Sequence, residues 1–356
     1  MWRQGGSRCA LALSAIAVGA LQSASAQAQA VDDHRTEILF LGTASGPPIR
    51  VQRSEPSTLL IVDGRNYLID CGIGTVRRLV EAGVDSSQIK TIFFTHLHAD
   101  HDMGLADVMA NDFFVRGPVG AADPINIYGP PQTKQLVESA FHFISVGFRP
   151  FADANLFAYP QVGGAFVSPF VAHEIAHGGS FFHDDEIRVS ATENTHYTNI
   201  PAGKRSRFKS YSYRIDTPQG SIVFTGDTGP SDAVARLSRG ADVLVSEVTY
   251  RDPAQLDQFV ARVAAASHST PARAKTFRRQ FTAMHMDAEE VGDLASRAGV
   301  KSVILYHFVP KDKADEATYV AEVKTRFAGP VFASDDLDRF CLNSGLVSRC
   351  TAASRR

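Results

Sequence analysis

Thr95-His96-Leu97-His98-Ala99-Asp100-His101 packs four metal-ligating side chains into six residues, directly after the apolar run Thr91-Ile92-Phe93-Phe94. The β-branched and aromatic residues 92–94 predict a strand covered on both faces. A polar cluster at the exit of such a strand belongs to a loop held by a rigid scaffold, where sites are usually built. His96 and His98 alternate with Leu97, so both imidazoles point one way while Leu97 turns to the core. Asp100 and His101 follow on the turn and face a second ion. Imidazoles mixed with a carboxylate suit zinc or a similar first-row metal.

The rest of the chain repeats that arrangement. Apolar strands are predicted at 37–41, 57–62, 67–69, 187–191, 211–215, 221–225, 243–246 and 302–306. Helices are predicted at 75–82, 105–114, 132–146, 231–237, 254–266 and 288–298. His196 follows the strand 187–191, Asp227 follows 221–225, and His307 ends 302–306. Every candidate therefore lies just past the C-terminal end of a strand, and together they form one site. His96, His98 and His196 make a three-imidazole site with an open position. Asp100, His101 and His307 hold a second ion, and Asp227 bridges the two. The expected cofactor is a pair of zinc ions, with manganese or iron compatible with the same donors. A hydroxide bridging the pair would be the nucleophile.

Arg3 and Arg8 precede an apolar stretch over 10–21, and small residues follow at 23–28. This is a secretory leader pattern, too short for a membrane span. The expected organisation is a signal peptide at 1–28, a hydrolase domain at 29–340 and a C-terminal tail at 341–356. The mature protein is expected in the periplasm or secreted, and no later segment is apolar enough to cross a membrane. Loss of two arginines and no acids would take the formal charge from −2 to −4. That balance gives no basic field for long nucleic acid. Cys341 and Cys350 bracket Gly345; in an oxidising compartment they either close a small loop or remain thiols. Cys71 reads as a buried, unpaired small hydrophobe.

Two segments compete for attention. Residues 147–179 are rich in Phe, Pro and Gly, including Phe148, Phe151, Phe157, Tyr159 and Phe166. They are either a loop-rich connection with its own small core or an aromatic lid over the site. His173-Glu174-Ile175-Ala176-His177 matches the HExxH pattern, which requires one continuous helix. Pro169 upstream and Gly178-Gly179 downstream argue against that helix.

His96-Leu97-His98-Ala99-Asp100-His101, with His196, Asp227 and His307 in that order, resembles the metallo-β-lactamase superfamily pattern. The resemblance implies an α/β fold, a four-layer αβ/βα sandwich with the site along one edge. Within it, residues 36–310 look most like the ribonuclease Z-like branch. Leu41-Gly42-Thr43-Ala44-Ser45-Gly46-Pro47-Pro48 resembles its LGT-x-x-G-x-P opening, and Asp70-Cys71-Gly72-Ile73-Gly74-Thr75 its DCGEGT. Ser246-Glu247-Val248-Thr249 resembles its HEAT, and His285-Met286 lies where its HST occurs. The resemblance implies that Glu247 orients His285, which acts as general acid or oxyanion stabiliser. Asp100 joins these two in the catalytic set as well as ligating. Ile73 and Val76 depart from the Glu and Gln of the branch, and no Gly/Pro-rich basic arm is evident.

The expected activity is hydrolysis of phosphodiesters or aryl sulfate esters, small-molecule substrates that exported members of this branch would meet. tRNA is not expected, because an exported protein would not encounter it. β-Lactam or lactone hydrolysis is the alternative within the superfamily. Exported β-lactamases generally lack a carboxylate like Asp227, and lactonases do not combine the LGT and DCG-x-GT signatures. A metal-binding protein without catalysis is the alternative from another class. The oligomeric state is open, a homodimer being common in the branch.

Overall fold

The structure, a computed structural model, describes residues 35–46, 49–116, 123–156, 159–250, 252–309 and 314–350. The leader expected at 1–28 and Phe157 lie outside the described residues. The first strands are β1 (Thr36–Gly42), β2 (Ser57–Val62), β3 (Arg65–Ile69), β4 (Ile89–Phe93) and β5 (Ile125–Gly129). Next come β6 (Gln161–Val162), β7 (Ala165–Phe166), β8 (Phe170–Glu174), β9 (Gly179–His183), β10 (Arg188–Glu193) and β11 (Tyr211–Thr217). The last are β12 (Gly220–Phe224), β13 (Val243–Val248), β14 (Ser302–Phe308), β15 (Val331–Ala333), β16 (Arg339–Asn343) and β17 (Leu346–Arg349). The helices are α1 (Thr75–Glu81), α2 (Ala99–Asp102), α3 (Leu105–Arg116), α4 (Thr133–Asp153) and α5 (Asp232–Leu237). They continue with α6 (Pro253–Ala266), α7 (Pro271–Met284), α8 (Ala288–Ala298) and α9 (Ala314–Lys324).

Two sheets result. One runs β17-β16-β1-β2-β3-β4-β5-β8 and the other β15-β14-β13-β12-β11-β10-β9, with β6 and β7 a separate hairpin. Strand alternation sorts the side chains into layers. Ile38 and Phe40 of β1 face the second sheet and join Tyr213, Phe224, Val245 and Ile304 in a central core. Leu39 and Leu41, one residue out of phase, pack under α1, α3 and α4 with Leu79, Val108 and Val137. Val223, Leu244 and Val303 do the same under α5, α8 and α9 with Val234, Val291 and Val323. This is the αβ/βα sandwich that the resemblance implies.

Buried tyrosines tie the sheets together. Tyr213 donates its hydroxyl to Phe94 O (2.5 Å) and Tyr211 donates to Ile175 O (2.8 Å). A buried hydroxyl requires such a partner, and the first of these fixes the strand exit that leads into His96.

The structure corrects the expected tail and settles the alternatives left open for the aromatic segment, the HExxH segment and the cysteines. The segment after 340 is not a tail: β16 pairs with β1, Phe340 and Leu342 fill the central core, and the Cys341–Cys350 disulfide closes the β16–β17 hairpin. Phe148, Tyr159 and Phe166 are no lid; they pack around Phe113 beneath the first sheet, with centroids 4.7–5.8 Å from it. Phe148 thereby carries α4 beyond its expected end at 146. The HExxH segment is no helix. His173 and Glu174 end β8, His173 Nε2 meets Asn126 Oδ1 (2.9 Å), and Glu174 accepts from Gln132 N and Lys134 N at the start of α4. Cys71 is buried and free, as expected.

Candidate metal centre and active site

Both sheets end at one edge of the sandwich, and each brings part of the candidate set there. His96 and His98 follow β4, and Asp100 and His101 ride on the single turn of α2, which starts after His98. The other sheet supplies His196 beyond β10, Asp227 beyond β12 and His307 on β14. All seven predicted ligands meet. His96, His98, His196 and Asp227 offer donor atoms within 4.8 Å of one another, as do Asp100, His101 and His307.

Asp227 stands between the groups. Its Oδ2 lies 3.8 Å from both His96 Nε2 and His196 Nε2, and its Oδ1 lies 3.4 Å from His101 Nε2 and 3.2 Å from His307 Nε2. Local backbone makes this reach. Gly226 has φ 56°, and a Cβ there would sit 2.9 Å from Thr95 Cβ, so the turn needs glycine. His307 itself has φ 55° and occupies a bulge, since Glu247 pairs with Tyr306 but Val248 pairs with Phe308. A bulge re-aims one side chain without disturbing the strand beyond it. Gly46 approaches so closely that a Cβ would clash with Asp100, and its N–H donates to Asp100 Oδ2 (2.9 Å).

Three of the imidazoles have their outer nitrogen already engaged. His101 Nδ1 donates to Asp70 Oδ2 (2.8 Å), His196 Nδ1 to Met284 O (3.0 Å) and His96 Nδ1 to Thr95 Oγ1 (3.1 Å). Thr95 Oγ1 donates in turn to Asp70 Oδ2 (2.8 Å). His96 and His196 therefore turn an Nε2 lone pair inward and His101 turns its Nε2 to the same space, the arrangement typical of histidines poised for a cation. His96 Nε2 and Asp227 Oδ1 are buried with no hydrogen-bond partner, and His101 Nε2 faces His307 Nε2 at 3.3 Å. Buried acceptors are rarely left unpaired. The donor set fits divalent-cation binding, and among the described residues no protein donor completes it.

Electrostatics agree. Burial holds His96 and His196 well below the usual histidine range, hence neutral and able to ligate. Burial opposes charge on His101, but Asp227, Asp70 and Asp100 outweigh it and hold that imidazole well above its usual range. Burial would raise Asp227, yet His307, His101 and His96 keep it well below the carboxylate range. The site thus holds ionised carboxylates and a proton that a cation would displace.

Glu247 and His285 form the expected pair beside this group. His285 sits at the extended residue ending α7, and its Nδ1 donates to Glu247 Oε2 (2.6 Å). Thr228 N donates to the other oxygen, Oε1 (2.5 Å). Burial pushes the Glu247 carboxyl up and His285 opposes it; with donors on both oxygens, Glu247 acts as the anion. Burial lowers His285, but Glu247, Asp227 and Asp100 prevail and raise it to about 9. A cavity of about 570 Å³ opens over His98, His196, His285 and His307.

Sequence reasoning missed Asp70, the carboxylate that orients His101 and Thr95. Its signal was visible: an acid directly ending a buried strand, in a motif already singled out. It holds φ 55°, a strained conformation typical of functional positions. Tyr197 was missed as well; its ring packs 5.1 Å from that of His98.

The Beta-lactamase superfamily domain matches residues 65–308. Ribonuclease Z of Mycolicibacterium gilvum (strain PYR-GCK) is 30% identical over 318 residues, covering 88% of this chain and 98% of the relative. The chain belongs to the metallo-β-lactamase superfamily, in its ribonuclease Z-like branch. Two solved structures share the fold. The metallo-beta-lactamase fold protein YhfI from Bacillus subtilis matches with TM-score 0.60 at 16% identity, over 86% of this chain and 99% of that one. Human tRNase Z, short form, matches with TM-score 0.56 at 21% identity, again over 86% and 99%. The superfamily member described here is thus a metal-site hydrolase with a ribonuclease Z-like scaffold, and among the described residues no helix is long and apolar enough to cross a membrane.

Proposed function

We propose that this chain is an exported, dinuclear metal-dependent hydrolase of anionic esters, phosphodiesters first and aryl sulfates second. The observation that carries this reading is Asp227, with one oxygen toward each ligand group and the Glu247–His285 pair alongside. Bound divalent cations would polarise non-bridging oxygens and bring the pKa of water toward neutrality, and zinc, manganese and iron all suit the donors. The chain does the rest. Glu247 fixes Nδ1 of the His285 imidazolium, which leaves Nε2–H to protonate the departing oxygen. Asp70, Thr95 and Met284 O hold the ligating rings in register. Export is supported by the leader pattern in 1–28 and by the Cys341–Cys350 disulfide, which suits an oxidising compartment.

A second reading is an RNA substrate. The curated relatives carry the name ribonuclease Z, which weighs against the expected exclusion of tRNA. Helix α7 adds Arg273, Lys275, Arg278 and Arg279 with no acid across Pro271–Met284. The deciding comparison uses zinc-loaded protein with bis(p-nitrophenyl) phosphate, p-nitrophenyl sulfate and a 3′-extended tRNA. Fastest turnover of the phosphodiester is expected. A sulfate preference would reverse the order of the first two, and trimming of the tRNA would establish the second reading. Metal bound without hydrolysis of any ester would sink both.

A further inference from the structure

Helices α6 and α7 form a hairpin that roofs the cavity. Phe259 and Val263 lie one turn apart on α6, while Phe277, Phe281 and Met284 share one face of α7. With Val309 these six side chains line the cavity opposite the histidines and carboxylates. α7 buries no residue fully, and Phe277 and Phe281 stay half-buried. The Phe281 ring sits 4.7 Å from that of His285, so the apolar wall begins where the candidate general acid ends. Aromatic surface left exposed in an open cavity is unfavourable, and a clustered patch of it marks a contact surface.

We propose that this wall receives an apolar organic group, aryl or branched alkyl, of an ester whose anionic centre lies on the histidine side. Val263, Phe277 and Phe281 are then specificity-determining residues. The proposal rests on the hydrolase reading only in placing the anionic centre at the ligand groups. Apart from the amides of Gln280 on α7 and Asn199 this wall is hydrocarbon, so the cavity fits an amphiphilic small molecule better than a ribose-phosphate chain, most of whose hydroxyls would lack partners there.

The test is equilibrium binding of three non-hydrolysed anions to the zinc-loaded full chain: methylphosphonate, phenylphosphonate and uridine 3′-monophosphate. Phenylphosphonate is expected to bind at least about tenfold tighter than methylphosphonate, and tighter than the nucleotide. Phe277→Ser should cut the phenyl-to-methyl ratio to below about threefold. Val263→Thr, a milder change, serves if circular dichroism shows that the serine variant unfolds. A ratio near one, a nucleotide that outbinds the phenyl compound, or a ratio that survives both substitutions would overturn the proposal. Turnover measured in parallel separates the two readings. Ester hydrolysis with no phenyl preference removes the wall and keeps the hydrolase; phenyl preference with no hydrolysis does the opposite.

Discussion

The strand-end ligand cluster and the α6–α7 hairpin face each other across one cavity, yet they are built in opposite ways. His96, His101, His196 and Asp227 are essentially buried; Thr95 and Asp70 at strand ends orient His96 and His101, and Met284 O at the end of α7 orients His196. The hairpin packs chiefly on itself, through a small cluster of Leu256, Phe259, Val260 and Phe277 capped by Tyr250 and Val309. Chemistry that tolerates little misplacement is anchored on two interlocked sheets, where packing leaves side chains few alternatives. The side chains proposed to select a substrate sit on a hairpin outside the two sheets, joined to the ligand cluster through Met284 O and His285.

The largest expected effect falls on the cluster. Asp227→Ala should reduce bound metal from two equivalents toward one or fewer, measured by mass spectrometry of the metal, and cut turnover on the order of a thousandfold or more. Two equivalents retained would break the bridging assignment. His285→Ala should lower kcat by roughly 10²–10⁴, more for esters with poor leaving groups than for p-nitrophenyl esters. An equal loss across leaving groups would remove the acid role from His285. Asp70→Asn leaves every ligand in place but loosens His101, so metal affinity should fall by about 10–100-fold, as read by competition with a chromogenic chelator. Hydrogen exchange should then separate the two regions directly, with α7 amides exchanging well before those of β12, β13 and β14. Equal protection would mean that the hairpin is part of the same cooperative unit.

The smallest effect belongs to the far end of the second sheet. Asp242 accepts from Ser221 N (2.7 Å) and Lys301 (2.6 Å). Burial would raise its carboxyl, but Lys301 and Ser221 prevail and lower it. A group lowered on folding stabilises above its unfolded pKa, and that contribution is lost as pH falls through the folded value. Asp242→Asn should therefore cost about 1 kcal/mol near neutrality and flatten the acid side of a melting-temperature profile, with turnover little changed.

What was legible follows the same division. His96, His98, Asp100, His101, His196, Asp227 and His307 could be read because metal ligation restricts residue type and strand ends restrict position. The strands around them could be read because burial on both faces writes continuous apolar runs, as in 302–306. The hairpin was half legible: α6 shows an apolar face, whereas α7 is cationic and buries no residue fully, so its periodicity is faint. Asp70 escaped because its task is to hold another residue, and no spacing rule marks that. The expected boundary at 341 falls inside β16, whose few apolar positions leave a faint pattern; Phe340 and Leu342 are nonetheless enough to seat it beside β1.

The division of ligands between the two sheets has a mechanical meaning. His96, His98, Asp100 and His101 arrive on one sheet, and His196, Asp227 and His307 on the other, so a captured cation is a rivet through both. Unfolding must release it, and the melting temperature should climb with the logarithm of free metal once binding saturates. In a compartment where metal supply rises and falls, the same rivet would make the lifetime of the folded chain a record of the ion it carries.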